Sequence, residues 1–338
     1  MGRRGRAGRT ASTAALLAAA VAAALVAGCT TSHAPSDDGR GPRQEPTGST
    51  PNASNTPSGS GSPSRPSGSG PVLAVKIDNV RAARPQKGLS AADVVYVEQV
   101  EGGLSRLMAL YATRLPDVVG PVRSARESDL ELLGQFDRPT LAFSGAQGKL
   151  LPLIDRAPLR AEPPGNVSGA YFRGADHLAP HNLYLRPDRL IRSAPGPDAL
   201  TTGFHYGAAP EGGRPSATRT VRFPSARFTF TWSADRHRWL VSQDGTPTVT
   251  DGGRRVVPAT VVVQYVKIHK SAYHDVLGNY TPYTETVGSG KAQVLRDGRA
   301  YDVRWERATA ADGTAFTTED GSPVNFAKGQ VWVVLAKA

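Results

Sequence analysis

Regular patterning of apolar and polar residues begins abruptly at Pro71, and it first predicts strands interspersed with helices. A helix is predicted over residues 124–137, because Ser124 and Glu127 have the spacing of a capping box and apolar residues then repeat at helical intervals. A shorter helix is predicted over residues 148–154. Strands rich in Val, Ile, Leu or Tyr are predicted at residues 72–77, 94–100, 107–111 and 140–144.

The carboxy-terminal part of the chain shows an almost purely strand-like pattern. It follows residues 195–220, which are poor in aliphatic side chains and predict a connection between domains. Phe228, Phe230 and Trp232 then alternate with threonines, as in a half-buried strand. Asp297-Gly298 between two strand-like segments indicates a two-residue hairpin. Further buried strands are predicted at residues 261–268 and 331–335.

These patterns predict an α+β fold in two domains. A length of 338 residues suggests about two domains, and 39% hydrophobic residues are enough to form their cores. We expect a mixed α/β amino-terminal domain at residues 71–205, followed by a smaller antiparallel β-rich domain at residues 206–338.

The first 28 residues have the pattern of a signal peptide. Four arginines precede an apolar run at residues 14–27, whose helical length of ~21 Å is shorter than the ~30 Å hydrocarbon core of a membrane. The small residues Ala27 and Gly28 before Cys29 resemble a bacterial lipobox, which implies cleavage before Cys29 and its lipidation. The alternative is an ordinary secretory cleavage site followed by an incidental cysteine. Lipidation predicts an anchor in the cell membrane, on the extracytoplasmic face.

Residues 29–70 then predict a disordered tether, and the charge balance changes when the signal peptide is removed. Ser, Pro, Gly and Thr dominate this segment, and its charges cancel. The formal charge of +11 includes the four arginines ahead of the cleavage site, so the mature chain is less basic. An extracytoplasmic location favours anionic lipid head groups and wall polymers over nucleic acid as partners. A single cysteine excludes a disulfide framework and a CxxC zinc ribbon.

The most informative local sequence for chemistry is residues 120–126. Arg123 and Arg126 lie at the predicted start of a helix, where cations oppose the helix dipole. Two guanidiniums beside unpaired helix N–H groups would bind a phosphate or carboxylate. The alternative is a structural ion-pair network in which Glu98, Glu101, Glu127 or Asp129 neutralises these arginines.

Carboxylates provide the second set of candidates. Glu98 lies on an otherwise apolar strand face, and Asp78 and Glu101 are further candidates for acid–base work. Buried pairing with arginine is the interpretation that this pattern favours. His177 and His181 have metal-ligand spacing, but Pro180 interrupts the helix that would align them, so we predict no metal and no cofactor.

Several motifs, in order along residues 71–338, resemble the YerB-like lipoproteins. The resemblance implies a two-part domain of unknown function, with an α/β amino-terminal part and a β-rich carboxy-terminal part. It supplies no catalytic residues. The motifs are Lys76-Ile77-Asp78-Asn79, Ala83-Arg84-Pro85-Gln86-Lys87-Gly88-Leu89, Val100-Glu101-Gly102-Gly103, Gly120-Pro121-Val122-Arg123-Ser124-Ala125-Arg126, Ala179-Pro180-His181-Asn182-Leu183-Tyr184 and Val287-Gly288-Ser289-Gly290-Lys291-Ala292.

Three functions remain open from the sequence. The leading hypothesis is a membrane-anchored lipoprotein that binds an anionic wall polymer or a wall-associated protein through an arginine cluster. The alternative is an enzyme that acts on wall glycan or peptide, with Glu98, Glu101 or Asp78 as acid and base. A third is a docking module that uses the carboxy-terminal sheet. The residues predicted to bind the ligand are Arg84, Arg106, Arg123, Ser124, Arg126, His181 and Asn182.

Overall fold

A computed structural model describes residues 70–250, 252–275 and 278–338. The predicted signal peptide, Cys29 and almost all of the predicted tether lie outside these residues. The described part is mostly β, with 42% strand and 11% helix. Among the described residues, no helix is long and apolar enough to cross a membrane.

The two α-helices of the described region are short, and they are α1 (Glu127–Leu133) and α2 (Leu151–Arg156). Single 3-10 turns occur at Arg81–Ala83, Leu89–Ala91, Glu101–Gly103, Pro187–Arg189 and Pro197–Ala199. The strands are β1 (Leu73–Asp78), β2 (Val94–Gln99), β3 (Ser105–Tyr111), β4 (Thr140–Ala142), β5 (Arg160–Glu162), β6 (Tyr171–Arg173), β7 (Leu183–Leu185), β8 (Arg214–Pro215), β9 (Thr218–Phe223), β10 (Ala226–Ser233), β11 (Arg238–Gln243), β12 (Thr246–Pro247), β13 (Thr260–Val266), β14 (Ile268–His274), β15 (Tyr280–Thr284), β16 (Gly288–Arg296), β17 (Arg299–Arg307), β18 (Ala315–Thr317) and β19 (Val331–Lys337).

One large mixed sheet runs through both halves of the described chain. Its strand order is β18-β17-β16-β13-β19-β2-β3-β1-β4-β5, and β8 pairs with β17. The central strand β19 is parallel to both of its neighbours, with Val333 opposite Val262 in β13 and Tyr96 in β2. Residues 331–336 are buried throughout, as expected for a central strand covered on both faces.

The predicted α+β fold class is therefore wrong. A mixed sheet with two short helices replaces the α/β amino-terminal domain, and the carboxy-terminal strands join the same sheet. The predicted helix over residues 124–137 begins only at Glu127, because the residues before it are extended: the Arg123 N–H donates to the Lys76 carbonyl at 2.8 Å. The β2–β19 pair joins segments more than 200 residues apart, a contact that local patterning cannot indicate.

Several local predictions are confirmed. The hairpin at Asp297-Gly298 joins β16 and β17, and both turn residues have positive φ angles, 52° and 71°. In β10, Phe228 and Phe230 are fully buried and alternate with half-buried threonines.

The large sheet is covered differently on its two faces. On the face that we call the small-sheet face, Phe230 of the four-stranded sheet β12-β11-β10-β9 packs against Trp332, with ring centroids 6.1 Å apart. On the opposite face, the helix face, Leu132 of α1 belongs to the same buried apolar cluster as Tyr96 and Met108. Because side chains alternate along a strand, Lys76 and Asp78 of β1 point to the helix face.

Candidate functional site

Eight charged residues meet on the helix face, at the ends of β1, β2 and β3. We call them the buried ionic network. Its members are Lys76, Asp78, Glu98, Glu101, Arg106, Arg123, Arg126 and Asp129. Four of these side chains are basic and four are acidic.

Lys76 lies at the centre of this network and has no exposed surface. Its Nζ is 2.6 Å from Asp129 Oδ1 and 3.0 Å from Glu98 Oε2. Burial, followed by the nearby Asp129 charge, raises the pKa of Glu98 to about 8, although Lys76 opposes the shift. Glu98 therefore holds its proton more strongly than an ordinary glutamate, and the closest contact of Lys76 in the network is with Asp129.

Arg126 and Glu101 form a two-point ion pair. Arg126 Nε and Nη2 each lie 2.7 Å from one oxygen of Glu101, and the Thr281 hydroxyl of β15 donates to the same carboxylate. Burial alone would raise the pKa of Glu101, but Arg126 above all, with Arg106 and Thr281, lowers it to about 2. Arg126 is the N-cap residue of α1, so the pair fixes the helix start against the sheet.

The Asp78 carboxylate contacts both His181 and Arg123. His181 Nδ1 lies 2.8 Å and Arg123 Nε 3.3 Å from the same Asp78 oxygen. Burial opposes ionisation of Asp78, yet the His181 hydrogen bond and the charges of Arg106 and Arg123 lower its pKa. Arg106 Nη1 donates to the Ser124 carbonyl at 2.8 Å, and burial, with the Arg126 charge, lowers the Arg106 pKa to about 9.

The structure brings most, but not all, of the predicted ligand-binding residues together. Arg106, Arg123, Ser124 and Arg126 lie in or beside the network, and His181 joins it through Asp78. Ser124 is buried, with its Oγ 3.4 Å from Ser144 Oγ.

Asn182 and Arg84 lie apart from this group. The Asn182 side chain accepts from Arg173 and donates to the Gly174 carbonyl in the β6–β7 hairpin. Arg84 lies in an open cleft.

The three predicted acid–base residues are enclosed. Asp78, Glu98 and Glu101 are at most 8% exposed, and each lies against a cationic side chain. Of the described residues, no three His, Cys, Asp or Glu side chains are grouped as a metal site requires.

We call the open cleft that contains Arg84 the arginine cleft. It has a volume of about 560 Å³ and lies between the residues after β1 and the β9–β10 hairpin. Four guanidiniums and one carboxylate leave three net positive charges along its lining. The charged lining residues are Arg81, Arg84, Arg222, Arg227 and Asp244.

Asp244 organises the arginine cleft. Its carboxylate lies 2.9 Å from Arg84 Nη1 and accepts the Arg227 backbone N–H at 2.8 Å. Arg84 also donates to the Asn79 carbonyl at 2.6 Å. Burial lowers the pKa of Arg84, and Asp244 opposes that shift. Arg81 and Arg222 are exposed, and Arg81 Nη2 donates to the Asp244 carbonyl at 3.4 Å.

A close backbone approach holds one wall of the cleft against the large sheet. The Ser225 N–H of the β9–β10 turn donates to the Gly103 carbonyl at 2.8 Å, and the Ser225 hydroxyl donates to the Gly102 carbonyl at 2.7 Å. A Cβ on Gly103 would lie 2.5 Å from Pro224 Cβ, so only glycine permits this approach.

Sequence reasoning missed Lys76 and three of the cleft arginines, and it matched Asp129 with arginine, whereas the structure pairs Asp129 with Lys76. Lys76 had a usable signal, because it is a charged residue inside an otherwise apolar strand segment. Arg222 and Arg227 had a weaker one, since they flank the turn between two alternating strands. Their proximity to Arg81 depends on a long-range contact.

Comparison with known proteins places the chain in a family. Residues 58–199 match the family described as Protein of unknown function (DUF3048) N-terminal domain, and residues 219–333 match the corresponding C-terminal domain. The two matches define a two-part protein of unknown function. The chain belongs to the YerB-like family, as the resemblance of its motifs predicted.

A relative and a solved structure agree with this assignment. YerB of Bacillus subtilis (strain 168), whose name assigns it to the lipoproteins, is 24% identical over 277 residues, which is 77% of this chain and 80% of that protein. The crystal structure of YerB from Bacillus subtilis has a TM-score of 0.66 at 20% identity and covers 79% of this chain and 91% of its own. The structural match shows a shared fold. The relative's name agrees with a membrane-associated location in the cell envelope.

Proposed function

We propose that this protein is a membrane-anchored extracytoplasmic lipoprotein that binds an anionic cell-envelope ligand in the arginine cleft. The observation that carries the proposal is the cleft itself, with four guanidiniums, one carboxylate and a volume of about 560 Å³. That volume is within the ~300–1,000 Å³ of ordinary ligand sites. Planar guanidiniums bind phosphate and carboxylate oxygens in pairs, so both groups suit the cleft.

The anchor in this proposal is a lipid on Cys29. Its support is the lipobox-like sequence before Cys29, together with the name of the Bacillus relative. Two acyl chains bind a membrane stably, whereas a basic surface alone releases in salt. Cys29→Ala should therefore move the protein out of the membrane fraction or leave an unprocessed precursor. Unchanged, salt-resistant membrane association of this variant would exclude the lipid anchor.

The cleft suits the ligand better than the buried ionic network does. In the network, Arg123 and Arg126 already contact carboxylates in the protein interior, so an incoming anion would have to displace Asp78 or Glu101. In the cleft, Asp244 is the single acidic lining residue. Of the residues predicted from sequence to bind the ligand, Arg84 is the one that lines the cleft.

Binding of a teichoic-type polymer tests this assignment. The full chain in detergent would be titrated with poly(glycerol phosphate), and Arg81→Gln/Arg222→Gln would be compared with the wild type. Charge-assisted hydrogen bonds contribute ~1.5–3 kcal/mol each, so the affinity should fall at least ~10-fold.

The control variant is Arg192→Gln/Arg304→Gln, which removes the same charge from exposed positions outside the cleft lining. It should bind within about twofold of the wild type, since neither residue faces the cleft. Equal losses in the two double variants would mean that only net charge attracts the polymer. No loss in the cleft variant would refute the site.

The enclosure of the candidate acid–base residues argues against the alternative of a wall-acting enzyme. Its candidate residues, Asp78, Glu98 and Glu101, are enclosed among cations. Turnover of peptidoglycan by the wild type, lost in Glu98→Gln, would reverse that preference.

A further inference from the structure

A second open cleft borders the arginine cleft at the β9–β10 turn. It has a volume of about 510 Å³. One of its walls is the separate two-stranded ribbon that β14 and β15 form with each other, and the other includes the last residues of β2 and β19. We call it the lysine cleft. Its polar and charged lining residues are Gln99, His269, Lys270, Asn279 and Lys337.

The lysine cleft is basic, and none of the described residues that line it is an aspartate or a glutamate. Lys270 Nζ lies over the Tyr280 ring, 4.8 Å from its centroid, and Lys337 is exposed. Neither ammonium has an ion-pair partner among the described residues. The Glu285 carboxylate lies 3.3 Å from His269 Nε2 and is not part of the lining. The cleft therefore offers two ammonium groups to an anion.

The two clefts share a border at a single turn. Pro224, which is exposed in the β9–β10 turn, lines both of them. On the large sheet, Gly102 lines the lysine cleft and Leu104 lines the arginine cleft. The Ser225 N–H bond to the Gly103 carbonyl holds the turn against this border. A ligand that lies over Pro224 therefore contacts both linings.

The combined charge of the two linings suits a ligand with several anionic groups. Six Lys and Arg side chains face a single carboxylate, that of Asp244. A small anion occupies one cleft at a time, whereas a chain of linked anions places a group in each. Because the second contact is then intramolecular, linkage raises the affinity without any new contact.

We propose that one phosphate-containing polymer chain occupies both clefts and crosses the turn at Pro224. This inference rests on the proposed function and specifies its ligand as an extended polyanion rather than a single anionic group. Guanidiniums of the arginine cleft bind a phosphate through paired hydrogen bonds. Lys270 and Lys337 act as point charges on a neighbouring phosphate of the chain and leave its orientation free.

The test titrates the full chain in detergent with poly(glycerol phosphate) and with glycerol phosphate, which carries one phosphate. Lys270→Gln/Lys337→Gln should weaken polymer binding at least ~10-fold, since it removes one of two linked contacts. It should bind glycerol phosphate within about twofold of the wild type, because the small anion still has the arginine cleft. The control Lys149→Gln/Lys328→Gln removes the same charge from exposed positions outside both linings and should match the wild type with both ligands.

Arg81→Gln/Arg222→Gln separates failure of this inference from failure of the proposed function. Weaker polymer binding in that variant, with wild-type binding in the lysine-cleft variant, would confine the polymer to the arginine cleft and overturn the inference alone. Equal losses for polymer and glycerol phosphate in the lysine-cleft variant would mean that the clefts bind separate anions, which also overturns it. Equal losses in the lysine-cleft variant and its control would reduce the effect to net charge. An arginine-cleft variant that binds polymer like the wild type would refute the proposed function and this inference together.

Discussion

The buried ionic network and the arginine cleft are two arginine-rich regions near the ends of the same strands. They differ in how many acidic side chains oppose the basic ones. The network sets four basic side chains against four acidic ones inside the protein, one of which, Glu98, has a pKa raised to about 8. The cleft opposes four guanidiniums with Asp244 alone and is open to solvent. Asp78 faces the network, whereas the next residue, Asn79, lines the cleft. Clustered arginine in a sequence thus indicates a binding site only where the matching carboxylates are absent.

The largest expected effect comes from breaking the centre of the network. Lys76→Met leaves the buried Asp129 without its cation, and loss of one partner of a buried pair costs ~3–5 kcal/mol of unfolding free energy. Urea denaturation measures the change. The control Lys76→Met/Asp129→Asn should recover much of the loss, since it leaves no uncompensated charge. A loss below ~1 kcal/mol for the single variant would mean that the network is not structural.

A smaller effect is expected where the wall of the cleft meets the sheet. Gly102 and Gly103 have similar positive φ angles, 66° and 70°, but only a Cβ on Gly103 would collide with Pro224. Gly103→Ala should therefore cost ~1–3 kcal/mol more unfolding free energy than Gly102→Ala, since both share the backbone strain. Equal costs would show that the β9–β10 turn is free to move away. The same pair of variants shows whether cleft geometry controls polymer affinity.

The pH dependence of the unfolding free energy tests the buried ionic network alone, through Glu98. The pKa of Glu98 is raised to about 8 from an ordinary 4.5, so the folded protein binds this proton more tightly than the unfolded chain. The contribution of Glu98 to stability is fully present below about pH 4.5 and is lost as the pH rises through about 8. Glu98→Gln should therefore lose less stability than the wild type between pH 6 and pH 8.5, measured by urea denaturation. Parallel curves for the two proteins would show that Glu98 is already ionised at neutral pH.

Local patterning predicted the strands but not their assembly. The segments at β1, β2, β3 and β10 and the turn at Asp297-Gly298 were recognisable because alternation and turn chemistry act over a few residues. The fold class was not, because the parallel pairing of β19 with β2 joins segments that lie far apart in the chain.

The candidate site likewise combines local features that the sequence indicated with long-range contacts that it did not. Arg123 and Arg126 were recognised beside the start of α1, and their pairing with acids remained one of two open alternatives. Arg222 and Arg227 were missed, because they reach Arg81 only when the β9–β10 hairpin docks on the large sheet. The net charge of each region depends on which acidic residues from distant parts of the chain fold beside the arginines. The local spacing of residues in the sequence does not indicate this.

The most direct test of the account is to follow the arginine side-chain N–H signals by NMR while the full chain is titrated with poly(glycerol phosphate). We predict that the Nε–H signals of Arg81, Arg84, Arg222 and Arg227 shift with polymer concentration. Those of Arg106, Arg123 and Arg126 should stay in place, because carboxylates and carbonyls of the protein already surround them. Shifts confined to Arg106, Arg123 and Arg126, with the four cleft arginines unchanged, would contradict the account and return the anion site to the start of α1.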